Sequence, residues 1–274
     1  MVKDSILSPI VAMDSHAHLD MAKGGEAEAL AWLDRAFAAG LQGVIAIAGA
    51  TKVGEYEDTL YLARKNSRIR VAAGIHPHAA SAVTLSLLEK LSKTLDDPLI
   101  VAVGEIGLDY HYEYSDRPAQ RHAFVQQLRI SRKLELPVVI HTREADDDTL
   151  AILRDEGAQE QGGVIHCFSS GEAFAQQAMA LGFYISFSGI VTFPTAEDIQ
   201  RVAQSMPLDK MLVETDSPFL SPIPFRGRPN EPSRVVHVVE KIAELRNLDA
   251  YSLGQMTVEN TLRCFRLDAA FSDP

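Results

Sequence analysis

The chain has 274 residues, of which 46% are hydrophobic and 23% charged, with a formal net charge of −11. That composition excludes a disordered chain, and the length suits an α/β barrel, so one domain over residues 1–274 is expected. The acid excess opposes broad electrostatic attachment to nucleic acid, so a phosphate-bearing substrate would need local positive charge from bound metal or a few arginines.

No apolar run approaches bilayer length, and the N-terminus lacks a basic-then-apolar signal pattern. A cytoplasmic protein without membrane attachment or a stable protein partner is therefore expected. Cys167 and Cys264 form no close pair and no Cys-x-x-Cys. They read as two buried thiols rather than a disulfide framework or a thiolate zinc site.

Taken in order, apolar runs alternate with helical patterns. The run Ile10-Val11-Ala12-Met13 reads as a first strand. If its period of two continues, Asp14, His16 and His18 point to one side, a disposition that suits metal ligation. An amphipathic stretch from Ala27 to Ala39 precedes a strand from Gly43 to Ala48, and a helix from Val53 to Lys65 precedes a strand from Ile69 to Ile75. The pattern repeats with a helix from Leu85 to Leu95 and a strand from Leu99 to Gly104. A helix from Pro118 to Leu134 then leads to Pro137–Ile140, and one from Asp146 to Asp155 leads to Gly163–Ile165. Ala173–Ala180 precedes the strand Phe183–Phe187, Glu197–Gln204 precedes Met211–Val213, and helices from Pro232 to Leu245 and Ser252 to Phe265 finish the chain.

Eight short apolar strands alternating with helices predict a parallel (β/α)8 TIM barrel, with a doubly wound open sheet as the alternative. A barrel gathers its catalytic groups at the C-terminal ends of the strands. His16 and His18 end strand one, His76 follows strand three, Glu105 strand four, His141 strand five, His166 strand six and Asp216 strand eight. These donors exceed what one tetrahedral ion requires, which predicts two divalent ions bridged by a carboxylate, with Glu105 as the bridge. His16, His18, Glu105 and Asp216 would hold one ion, and Glu105, His141 and His166 the other. Imidazole ligands suit Zn, while shared carboxylates also admit Mn, Mg or Ni.

The segments Asp14-Ser15-His16-Ala17-His18-Leu19-Asp20, Gly74-Ile75-His76-Pro77-His78, Gly104-Glu105-Ile106-Gly107-Leu108-Asp109-Tyr110, Val139-Ile140-His141-Thr142-Arg143, His166-Cys167-Phe168-Ser169 and Glu214-Thr215-Asp216-Ser217-Pro218-Phe219-Leu220 together resemble the TatD family of metal-dependent hydrolases. Arg226-Gly227-Arg228-Pro229-Asn230-Glu231-Pro232 also resembles that family's stretch after the last strand. The resemblance implies a TIM barrel, a divalent-metal centre and hydrolysis often directed at DNA. Glu105 sits where the related phosphotriesterase-type amidohydrolases place a carboxylated lysine. Ala79-Ala80 after His78, and Ser169-Ser170-Gly171 after strand six, depart from the family's usual form in loops that shape the pocket and leave the ligand set intact.

The chemistry expected is attack of a metal-bound hydroxide on a phosphodiester of DNA, in 3′-5′ exonuclease fashion, with Asp216 as proton acceptor and Glu105 as bridging carboxylate. The alternative at the same centre is hydrolysis of a carboxylic ester or amide, including aminoacyl-tRNA deacylation or a small-molecule substrate; a metal-binding scaffold without turnover would be expected to have lost Glu105 or Asp216. Arg143 could reach a phosphate from the rim or pair with Asp146 or Asp147, His76 could hold a phosphate, and Arg226 and Arg228 occupy a loop where a strand could pass. Asp14 and Glu214 are expected to orient ligands from behind. Tyr110, Tyr112 and Phe219 could stack on bases or serve as packing, and His111, His122 and His237 read as solvated.

Overall fold

Eight strands pair in parallel in strict chain order: β1 (Ala12–Ala17), β2 (Leu41–Ala48), β3 (Ile69–Ala73), β4 (Ile100–Asp109), β5 (Val138–Arg143), β6 (Gly163–Ile165), β7 (Tyr184–Phe187) and β8 (Met211–Val213). The computed structural model describes residues 10–49, 52–268 and 271. The N-terminal stretch expected to lack a signal pattern, and the outer ends of the 1–274 span, lie outside the described residues. Between the strands run α1 (Gly25–Ala38), α2 (Glu57–Lys65), α3 (Leu85–Thr94), α4 (Arg117–Leu134), α5 (Asp146–Asp155), α6 (Glu172–Ala180) and α7 (Glu197–Ser205), with α8 (Val235–Arg246) and α9 (Ala250–Cys264) after β8. None of the described helices is long and apolar enough to cross a membrane.

The sheet comes round on itself. Just past β1, the His18 N–H donates to the Ser217 carbonyl, and the Asp216 N–H donates to the His16 carbonyl. This seam makes the fold a (β/α)8 TIM barrel rather than a doubly wound open sheet.

Period-two alternation divides the apolar residues between two layers. Ile45, Ile47, Ala72, Ala102, Val139, Val164 and Leu212 form a cluster inside the barrel, joined by Cys264 and Phe265 at the end of α9. The next residue, Arg266, donates to the carbonyls of Glu135 and Gln161, which precede β5 and β6, so this plug sits at the N-terminal end. Val44, Ala46, Val71, Val103, Val138, Ile140 and Ile165 face outward and pack with Leu33, Leu60, Phe124 and Leu153 of the helices. Local signals set the helix ends. Asp116 caps α4 by accepting from the Ala119 N–H, with Pro118 in the first turn, and Asp249 caps α9 by accepting from the Ser252 N–H.

Several boundaries differ from the sequence expectation. β1 begins at Ala12 and contains His16, β5 contains His141 and Arg143, and α2 begins at Glu57 rather than Val53. The largest difference is β4, which runs through Glu105 to Asp109 instead of ending at Gly104. A β-bulge carries it past that point, because its register against β5 slips between Gly104 and Ile106. β1 slips against β2 between Asp14 and Ala17, so the even alternation expected for Asp14, His16 and His18 does not hold.

The β4–β5 contact leaves no room beside Gly107. Its φ is +139°, and a Cβ there would stand 2.0 Å from the His141 carbonyl oxygen. Gly107→Ala is therefore expected to destabilise the protein by about 1–3 kcal/mol or more, lowering Tm by roughly 2–10 °C in scanning calorimetry. An unchanged Tm would show that the two strands can separate there at no cost.

Candidate metal centre

The bulge in β4 turns Glu105 into the barrel mouth, where its carboxylate, only 4% exposed, meets imidazoles on both of its oxygens. Oε2 lies 3.3 Å from His16 Nε2 and 3.8 Å from His18 Nε2. Oε1 lies 2.7 Å from His141 Nδ1, 2.7 Å from His166 Nε2 and 3.3 Å from His76 Nε2. Burial opposes the charge on Glu105, but the surrounding imidazoles, His166 foremost, hold its pKa well below the usual carboxylate range.

Asp216 completes the His16–His18 side, with Oδ1 3.3 Å from His18 Nε2 and 3.7 Å from His16 Nε2. Burial again opposes its charge, yet the bond to His18 and the nearby imidazoles pull its pKa down. Its backbone is left-handed, φ 56°, an unfavourable conformation for a non-glycine residue. The seam bond to the His16 carbonyl and a bond from the Phe219 N–H to its own carbonyl hold it there.

These donors pass a geometric test for a metal. Around a tetrahedral ion with donors at about 2.0–2.2 Å, neighbouring donors stand about 3.3–3.6 Å apart. Among His16 Nε2, His18 Nε2, Glu105 Oε2 and Asp216 Oδ1, five separations are 3.3, 3.3, 3.7, 3.8 and 3.3 Å. Burial lowers the pKa of His16, so its ring is neutral and presents a lone pair. His and Glu side chains are thus positioned to bind metal.

Outer groups orient the rings. His166 directs Nε2 to Glu105 while Nδ1 stands 3.3 Å from Glu214 Oε1, which also accepts from the Cys167 N–H. His141 directs Nδ1 to Glu105 and Nε2 to Asp109 Oδ2 at 3.0 Å. Asp14 does not face the imidazoles. It accepts from the His16 N–H, the Thr215 N–H and the Thr215 hydroxyl, fastening β1 to the chain beyond β8. Burial pushes its pKa up to about 8 against the pull of these donors.

His76 differs from the other four rings. Its Nδ1 accepts from the His78 N–H, and burial lowers its pKa to about 4, so the neutral ring carries its proton on Nε2. It therefore donates to Glu105 rather than offering a lone pair.

The expected substrate contacts divide. His76 and Arg143 line the cavity, which measures about 530 Å³. Arg143 forms no ion pair with a described residue, and its guanidinium lies 4.8 Å from the Tyr112 ring. Arg226 and Arg228 are exposed outside the cavity, with Arg226 stacked on Phe193. Tyr110 is packing, its ring under Arg117 and its hydroxyl donating to Asp148. Cys264 is buried as expected, whereas Cys167 is half-buried and lines the cavity.

Asp109 has no role in the sequence expectation, although it lies within one of the quoted motifs. It is 1% exposed and bonds both His141 and His78, while its Oδ1 accepts from the His111 and Tyr112 N–H groups. Burial opposes its charge, but the histidine and backbone donors lower its pKa strongly. The usable signal was its place on the same strand as Glu105, visible only once β4 is known to continue.

The profile of TatD related DNase matches residues 13–266. The uncharacterized metal-dependent hydrolase YcfH of Escherichia coli K12 is 39% identical over 263 residues, covering 94% of this chain and 97% of its own. The protein named 3′-5′ ssDNA/RNA exonuclease TatD of Erwinia tasmaniensis is 34% identical, covering 86% of this chain and 92% of its own. Among solved structures, the TatD homologue YjjV of Escherichia coli superposes with a TM-score of 0.86 at 30% identity, over 94% of this chain and 98% of its own.

Asp109→Asn keeps the shape but weakens the grip on His141. Divalent-metal affinity, read by competition with a chromophoric chelator, is expected to fall about 10–100-fold. Unchanged affinity would confine Asp109 to organising its loop.

Proposed function

This chain belongs to the TatD-related DNase family of metal-dependent hydrolases, and from that premise we propose that it is a two-metal phosphodiesterase that trims single-stranded DNA from its 3′ end. The observation that carries the reading is the division of Glu105 between two donor groups, Oε2 toward His16 and His18 and Oε1 toward His141 and His166.

His16, His18, Glu105 and Asp216 would hold one divalent ion, and Glu105, His141 and His166 the second. Zn, Mn, Mg or Ni are all compatible with these donors. Bound ions lower the pKa of water toward neutrality and offset charge on phosphoryl oxygens. Asp216 accepts the proton of the attacking water, its carboxylate kept ionised by His18 and the neighbouring imidazoles. The Arg143 guanidinium takes a non-bridging oxygen of the phosphate, and the His76 Nε2–H, which points at Glu105 in the free protein, would turn to a second one once the ions hold that carboxylate. Glu214 and Asp109 hold His166 and His141 in the required tautomers. Arg226 and Arg228 would touch the strand beyond the cavity.

A cavity of about 530 Å³ over a barrel interior filled with apolar side chains is a pit that admits a terminal nucleotide better than the middle of a chain, which supports cleavage from an end. The name carried by the Erwinia relative supports a single-stranded nucleic acid as substrate and a 3′-5′ direction.

A second reading, hydrolysis of a carboxylic ester or amide, has one observation in its favour. Arg143 is the sole arginine among the described residues lining the cavity of a chain with net charge −11. Aminoacyl-tRNA deacylation belongs to this reading.

Metal analysis by mass spectrometry is expected to find two ions per chain, with activity lost on chelation and restored by reloading. The loaded enzyme should shorten a single-stranded oligonucleotide from a free 3′ end and spare one whose 3′ end is blocked. Asp216→Asn in the metal-loaded protein is expected to lower turnover about 10²–10⁴-fold. Turnover of esters or amides without any oligonucleotide shortening would replace the first reading by the second.

A further inference from the structure

Resting on the nuclease reading, we infer that Tyr112 and Tyr114 form a preassembled stacking platform that takes the bases next to the scissile phosphate and so selects single-stranded nucleic acid over smaller phosphodiesters. The two rings lie nearly parallel, 4° apart in plane with centroids separated by 5.4 Å. They are 48% and 69% exposed, whereas packing aromatics of this barrel such as Phe124 and Phe187 are fully buried. Among the described residues neither hydroxyl makes a hydrogen bond, so nothing in the fold uses the polar end of either ring.

The pair adjoins the centre. Tyr112 lines the cavity with His76, His141 and Glu105. The His78 ring lies 5.7 Å from Tyr112, 4.8 Å from Tyr114 and 4.3 Å from His76, whose Nε2 faces Glu105. Arg143 stands over Tyr112, so a cation, a ring and a second ring run from the cavity outward. With Arg143 on one side of Tyr112 and Tyr114 stacked beyond it, a strand whose phosphate is bound at Arg143 would extend this stack by laying a base on the outer face of the 69% exposed Tyr114, a recognition mode that accepts any base but requires it unpaired.

The platform is held before any ligand arrives. Asp109 Oδ1 accepts from the Tyr112 N–H. Gln120, fully buried in α4, accepts from the Asp109 N–H and donates to the carbonyls of Asp109 and Ser115. The Ser115 hydroxyl donates to the His78 carbonyl and accepts from the Ser81 N–H, tying this loop to the one after β3. A rigid, exposed aromatic pair loses little conformational freedom on binding. The same restraint makes a merely structural role unnecessary, because the ties run through the backbone and through Asp109, Ser115 and Gln120.

The test compares two substrates of the metal-loaded enzyme, a single-stranded oligonucleotide and bis(p-nitrophenyl) phosphate. In the Tyr112→Ala/Tyr114→Ala variant, the ratio of kcat/KM for the oligonucleotide to that for the small ester is expected to fall about tenfold or more, chiefly through KM. Tyr112→Phe/Tyr114→Phe should restore the ratio, because the π-face and not the hydroxyl is used. A 2-aminopurine beside the scissile phosphate should be quenched on binding to wild type and to the Phe variant but not to the Ala variant. An oligonucleotide degraded with an unchanged ratio overturns the platform alone. Hydrolysis of the small ester by wild type with the oligonucleotide left intact overturns the nuclease reading and the platform with it.

Discussion

The barrel closes through the backbone of residues whose side chains face Glu105. His18 and His16 use their main-chain groups to bond Ser217 and Asp216 across the seam, while Asp14 secures Thr215 beside them. Closure and site assembly are therefore one event. Asn230 extends the arrangement, donating to the Thr215 carbonyl and binding the Pro218 carbonyl through its N–H, so the long loop after β8 is fastened to the same point. Asp216 is held left-handed within this network by bonds at both its N–H and its carbonyl.

The electrostatics of the mouth follow from that closure. Glu105, Asp216, Asp109 and Glu214 are all buried, an expensive concentration of carboxylates in a chain that already carries net charge −11. Histidines answer each of them, and the ring nitrogens so engaged leave the remaining lone pairs converging on small volumes. Without a metal ion the imidazoles answer that charge by holding protons, and the carboxylates raise the pKa of His166 well above the usual imidazole value although burial opposes it. The acidity that argues against a general nucleic-acid surface is, at this one place, what makes a strong cation site, and bound cations would supply the positive potential that the surface lacks.

Around the centre, the loops after β3 and β4 are knitted by Asp109, Ser115 and Gln120 into a single rim. Tyr112 and Tyr114 stand exposed on that rim, beside Arg143 at the end of β5. Arg226 and Arg228, which the sequence offered on equal terms with Arg143, stand outside the cavity, and the difference is one of element: Arg143 ends a barrel strand, whereas the other two belong to a surface loop.

Much of this was legible without coordinates. Apolar runs of period two separated by helical periods specify strand and helix by local sterics and burial, and eight such repeats have few ways to cover both faces of a sheet. His16, His18, Glu105, His141, His166 and Asp216 could be named because a barrel collects strand ends. What remained hidden depends on the neighbouring strand. The bulges at Glu105 and between Asp14 and Ala17 exist because β4 and β1 must match the register of β5 and β2, and one extra residue reverses which face a side chain takes. Likewise the tautomer of His76 and the orientation of His141 rest on the His78 amide and on Asp109, contacts made across the mouth. The sequence alone determined which residues could bind metal and roughly where, since residue chemistry and period are local properties. Only the tertiary structure decided which nitrogen faces which oxygen, because that is set by hydrogen bonds between segments far apart in the chain.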